Sequence, residues 1–204
     1  MRINRNARTI YLKIVYYGPG LCGKTTNLTQ LFALAPPEQR GELVKLDTET
    51  ERTLFFDYFP LSGGTLAGHK VKFDFFTVPG QSFYATTRAA VLEGVDGVVF
   101  VADSDPDREE ANLISHEDMI RTLIARGRDP ENIPRVYQWN KRDLHRPIPI
   151  SALERALNPK HLPSVEAVAT LGVGVKETQD LIVNKVLERL HAGARSGREA
   201  EHHV

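Results

Sequence analysis

Gly18-Pro19-Gly20-Leu21-Cys22-Gly23-Lys24-Thr25 fits the pattern G-x-x-x-x-G-K-[ST], and its flanks decide how the rest of the chain is read. Ahead of it, Ile10-Tyr11-Leu12-Lys13-Ile14-Val15-Tyr16-Tyr17 is rich in β-branched and aromatic residues, the composition of a buried strand. Behind it, Thr25 to Leu34 puts Leu28, Leu31 and Phe32 on one helical face. Strand, glycine loop and helix start together make an anion cradle, because glycines let backbone N–H groups turn inward and the helix N-terminus adds positive potential. The alternative is a tight strand–helix turn that happens to carry a lysine.

In the first reading the cradle is lined by Gly18, Gly20, Leu21, Cys22, Gly23, Lys24, Thr25 and Thr26. Lys24 is a point charge for nucleotide β- and γ-phosphates, and the Thr25 hydroxyl is a ligand for Mg²⁺. Cys22, the single cysteine, excludes an internal disulfide framework and fits a reducing, cytoplasmic setting. Inside a loop whose backbone does the binding it reads as a small filler, not a nucleophile.

The 204 residues carry a formal net charge of zero, with 41% hydrophobic and 25% charged residues. One soluble domain is expected, and neither nucleic acid nor an acidic membrane surface is suggested as a partner. The N-terminus lacks a signal-peptide core and a myristoylation glycine, and no C-terminal cysteine is offered for prenylation. The longest strongly apolar run, Val98 to Ala102, is too short to span a bilayer. A monomer without membrane insertion is expected, with a single domain over 1–192 and a flexible polar tail over 193–204.

Strand-like and helix-like segments alternate. Thr53 to Phe59 and Val71 to Thr77 read as a hairpin turned at Leu61-Ser62-Gly63-Gly64. Further strands are expected at Gly97–Asp103, Val136–Trp139 and Ser164–Ala169. Helices are expected at Tyr84–Leu92, Asp107–Arg126, Ala152–Leu157 and from Gly174 onward. This order predicts an α/β, three-layer phosphate-loop fold: a mostly parallel sheet, one antiparallel edge hairpin, and helices on both faces. In such sheets ligands bind at the carboxyl ends of the strands, where the phosphate loop, Val78–Gln81, Asn140–Asp143 and Ala167–Thr170 converge.

Asn140-Lys141-Arg142-Asp143 matches N-K-x-D, about 115 residues after the phosphate loop. A carboxylate at Asp143 accepts two hydrogen bonds from guanine N1–H and its exocyclic amine, whereas adenine leaves it unpaired; such a site discriminates by about 10⁴–10⁵. The Lys141 stem can pack along the base, and Asn140 can tie this loop to the phosphate loop. Alone the tetrapeptide is a common lysine-rich loop; with the phosphate loop it makes guanine the best base. An ATP-using phosphotransferase is disfavoured by Asp143.

In Val78-Pro79-Gly80-Gln81, Gly80 lets a backbone N–H approach a γ-phosphate and Gln81 can orient an attacking water, or serve only as a turn residue. Thr53 can bring a second hydroxyl to Mg²⁺. Arg52 can neutralise charge on a transferred phosphoryl group, or be an ordinary loop cation. Asp57 interrupts an aromatic run, where an unpaired buried carboxylate is costly. It is a Mg²⁺-shell residue, a hydrogen-bonded structural aspartate or a solvent-facing one. Phe55, Phe56, Tyr58, Phe59, Phe83 and Tyr84 are partner contacts or core.

With these stretches in view, the chain resembles the Ras-like small GTPases and, among them, those of bacterial gliding motility and cell polarity. The likeness rests on Lys13–Leu28, Arg52–Asp57, Thr77–Gln81, Gly94–Ser104 and Asn140–Leu144, and runs from about Arg8 to Leu190. It implies a cytoplasmic GTP/GDP switch with Mg²⁺, recruited to a cell pole, in which Arg52, Thr53 and Gln81 serve hydrolysis beside Lys24. It implies that Thr77 stands where most relatives have the aspartate of D-x-x-G, and that Ala167 offers a backbone N–H to the guanine oxygen. It also implies a roadblock-fold homodimer as activator and polarity or motility effectors. The other reading is a GTP-binding adaptor with negligible hydrolysis.

Overall fold

The computed structural model describes residues 1–46, 56–80 and 84–201. Arg52, Thr53, Phe55, Gln81 and Phe83 therefore lie outside the described residues. The sheet is built around β2 (Thr9–Tyr17), whose alternate residues are buried on both faces: Leu12, Ile14 and Tyr16 on one, Val15 and Tyr17 on the other. A strand covered on both sides belongs inside a parallel sheet, and β2 lies parallel to both β5 (His69–Thr77) and β6 (Gly97–Asp103). β7 (Arg135–Asn140) and β8 (Ser164–Glu166) continue the parallel half. β4 (Phe56–Leu66) pairs antiparallel with β5, and β3 (Val44–Leu46) with β4. The spatial order is β3-β4-β5-β2-β6-β7-β8, and β1 (Arg2–Asn4) lies antiparallel on the start of β2.

Helices cover both faces. Against one face, α1 (Lys24–Leu34) and α5 (Val175–Glu201) bury Leu28, Leu31, Ile182 and Val186 on Leu12, Ile14, Phe75 and Val99. Against the other, α2 (Ala85–Leu92), α3 (Glu109–Ala125) and α4 (Ile150–Leu157) bury Leu92, Met119, Leu123, Leu153 and Leu157 on Val98, Phe100, Tyr137 and Trp139. The mostly parallel, three-layer α/β fold is the one the alternation predicts. Among the described residues, no helix is long and apolar enough to cross a membrane.

One local expectation is corrected. The hairpin turns at Ala67-Gly68, with φ of 47° and 76°, the positive values a two-residue hairpin turn demands. Gly63-Gly64 instead falls in a register shift between Ser62 and Thr65, a bulge. After α1 the chain forms the short edge strand β3, whose backbone groups pair antiparallel with β4. α5 runs to Glu201.

Candidate functional site

The phosphate loop leaves the carboxyl end of β2 and enters α1 at Gly23, whose φ of 101° forms the left-handed N-cap. A Cβ at Gly23 would lie 2.2 Å from Asn140 Nδ2, so no larger residue fits that approach. Lys24 is 7% exposed, and its Nζ donates to the carbonyls of Gly18 (2.9 Å) and Pro19 (2.6 Å). The ammonium is thereby held over the loop. Gly18 and Gly20 stand in the same loop, and Thr25 and the half-buried Thr26 open α1 ahead of the first helical bond, Asn27 N to Gly23 O at 2.9 Å. Those first amides have no intrahelical acceptor, so they are available to an anion. Leu21 is 87% exposed, while Cys22 is buried; burial pushes its thiol pKa up, which keeps it uncharged as a filler should be.

Asp57 sits on β4 opposite the end of β5, and 9% of it is exposed. Its Oδ2 accepts from Thr25 Oγ1 at 2.6 Å and from Thr77 Oγ1 at 3.0 Å, while its own N–H donates to Thr77 Oγ1 at 2.8 Å. Of the alternatives open for Asp57, the solvent-facing one is excluded. Thr77 ends β5, and its hydroxyl lies between the Asp57 amide and the Asp57 carboxylate. Gly80 packs on the phosphate loop so closely that a Cβ would meet Gly20 N at 2.2 Å.

The N-K-x-D loop follows β7. Asn140, 2% exposed, donates from Nδ2 to Cys22 O at 2.8 Å and accepts Ala169 N on Oδ1 at 2.9 Å. One side chain thus bridges the phosphate loop, its own loop and the loop after β8. Lys141 Nζ is held by Asp103 Oδ2 at 2.6 Å, and Asp143 is exposed at the loop's tip. Beneath the phosphate loop, Gln138 and Asn27 exchange hydrogen bonds of 2.7 and 2.9 Å, and Gln138 also donates to Thr178 Oγ1 at 2.9 Å. This buried amide pair ties α1 to β7 and α5. The polar Gln138 interrupting an apolar strand is its signal in the sequence.

Ala167 needs correcting. Its N–H donates to Trp139 O at 2.8 Å, so that amide is committed to the sheet and does not serve a guanine oxygen. Asp103 and Arg108 escape sequence reasoning altogether, although a carboxylate ending a wholly apolar strand marks the first of them.

A glycine loop with a buried lysine, bridged through Asn140 to a second loop bearing an exposed carboxylate, places the chain among the phosphate-loop nucleotide-binding proteins. No protein-family model matches it. It is 49% identical over 191 residues to the mutual gliding-motility protein MglA of Myxococcus xanthus (strain DK1622), across 94% of this chain and 98% of that relative. The chain belongs to the Ras-like small GTPase family, as a GTPase of the MglA type.

Proposed function

We propose that this protein is a GTP/GDP molecular switch that hydrolyses GTP slowly alone and faster when a partner positions Arg52, and that it sets cell polarity or motility by binding effectors in one nucleotide state. The observation that carries the reading is the double hydrogen bond of Asn140, which makes base loop and phosphate loop one rigid unit. Such a unit reads base and phosphates together.

The residues fit Mg²⁺. Among the described residues no cluster of three or more His, Cys, Asp or Glu side chains gathers that could hold a metal ion. An oxygen-only set of Thr25 and Asp57, completed by nucleotide phosphates, is nevertheless the kind of environment Mg²⁺ takes. Thr25 would ligate it, joined by Thr53, and Asp57, accepting the Thr25 hydroxyl proton, would orient that ligand from the outer shell. Bound Mg²⁺ neutralises charge on the β- and γ-phosphates. Asp57→Ala is therefore expected to raise the Mg²⁺ concentration needed to retain nucleotide by about 10–100-fold, the cost of losing an outer-shell partner. Nucleotide dissociation measured against Mg²⁺ checks this, and an unchanged curve would refute the role.

Chemistry is in-line attack of water on the γ-phosphate. Lys24 and the loop amides stabilise charge on the transferred group, Gln81 orients the water, and Arg52 adds a cation when correctly placed. The loss of γ-phosphate contacts on hydrolysis releases the segments around Arg52 and Gln81 and so changes the partner surface. The deciding experiment is GTP turnover by the purified protein with and without a roadblock-fold homodimer of the MglB type. Slow turnover that the dimer stimulates supports the switch. Tight GTP binding with no stimulated turnover would leave a GTP-bound adaptor.

A further inference from the structure

β6 ends at Asp103, and the short turn Pro106–Arg108 that follows brings an arginine back over the phosphate loop. Arg108 Nη2 donates to Gly20 O at 2.8 Å, and its Nε lies 4.0 Å from Asp103 Oδ2. Asp103 is 0% exposed, and the same Oδ2 takes Lys141 Nζ at 2.6 Å. Asn112 locks the Asp103 backbone from both sides, accepting its N–H at 2.9 Å and donating to its carbonyl at 2.8 Å. One buried carboxylate thus stands between the lysine of N-K-x-D and a guanidinium seated on the phosphate loop.

The peptide that Arg108 touches is an unusual one. Leu21, next after Gly20, has a φ of 65°, a left-handed conformation that L side chains rarely adopt. Its exposed side chain supplies no packing to hold it there. In a trans peptide the Leu21 N–H points opposite to the Gly20 carbonyl, so a cation on that carbonyl both fixes the direction of the N–H and strengthens it as a donor. We infer that Arg108 is a positioning residue for the nucleotide phosphates: it aims the Gly20–Leu21 peptide into the cradle, with Asp103 holding its charge in place and linking it to Lys141. This rests on the reading of the loop as a nucleotide-phosphate cradle.

Arg108 lines an open cleft of about 380 Å³ between Gly20, Gly80 and α3, so shortening it removes the contact without emptying the core. The test compares wild type with Arg108→Ala by titration with fluorescent GDP and GTP analogues and by phosphorus NMR of bound GDP. Affinity is expected to fall about tenfold, the loss of one charge-assisted hydrogen bond, and the phosphate resonances to move. A merely structural role would lower thermal stability and leave those resonances where they are; that result, or unchanged affinity, overturns the inference. A wild type that binds no guanine nucleotide would instead overturn the reading on which it rests.

Discussion

Asp143→Ala is expected to lower affinity for GTP by about 10⁴ and to erase the preference for guanine over adenine, the loss a site suffers when its base-pairing group is removed. The size follows from how firmly the loop is built. Lys141 holds a φ of 65°, its Nζ is tied to the buried Asp103, and Arg142 N donates to Ala167 O at 3.1 Å. Arg142 Nη1 further donates to Ile148 O at 2.7 Å, and Ser104 N donates to Asn140 O at 3.0 Å. A backbone fixed at so many points holds the Asp143 carboxylate where it is and cannot rearrange to supply a substitute acceptor. The Lys141 ammonium is likewise fixed, by its ion pair with Asp103 at 2.6 Å. Competition between GTP and ATP for wild type and variant measures the effect; an unchanged preference would remove Asp143 from base selection.

For Arg52→Ala the expected result is a loss of about 10³–10⁵ in partner-stimulated GTP hydrolysis, the worth of an arginine at phosphoryl transfer. Nucleotide affinity should change little, because the phosphate loop and base loop hold the ligand without it. Asp57, five positions after Arg52 in the sequence, accepts from Thr25 Oγ1 at 2.6 Å, and Gly80, which precedes Gln81, packs on Gly20. Single-turnover hydrolysis with the activating dimer, set beside nucleotide titration, separates the two quantities. Equal losses in both would mean that Arg52 binds nucleotide instead of stabilising transferred charge.

The class of fold was open to sequence reading because its signals are local. A run such as Gly97–Asp103, buried throughout, can only be a strand covered on both faces, and the alternation of such runs with amphipathic helices leaves a layered parallel sheet. The hairpin was legible in its two runs and misread at its turn. Gly63-Gly64 looks like a turn in one dimension, and only pairing with β5 reveals that it absorbs a register shift while Ala67-Gly68 reverses the chain.

What the sequence determined by itself is what is contiguous: the G-x-x-x-x-G-K-[ST] pattern from Gly18 to Thr25 and the N-K-x-D tetrapeptide at Asn140–Asp143, each with its residues side by side on one loop. Tertiary structure alone decided the rest. It set Asp57 against Thr25 and Thr77, committed the Ala167 amide to Trp139, and strung Arg108, Asp103 and Lys141 between the two loops. Those partners lie far apart along the chain or on different strands, and strand register decides which of them meet. A shift of one residue along a strand turns its side chains to the opposite face, so composition cannot foretell such contacts.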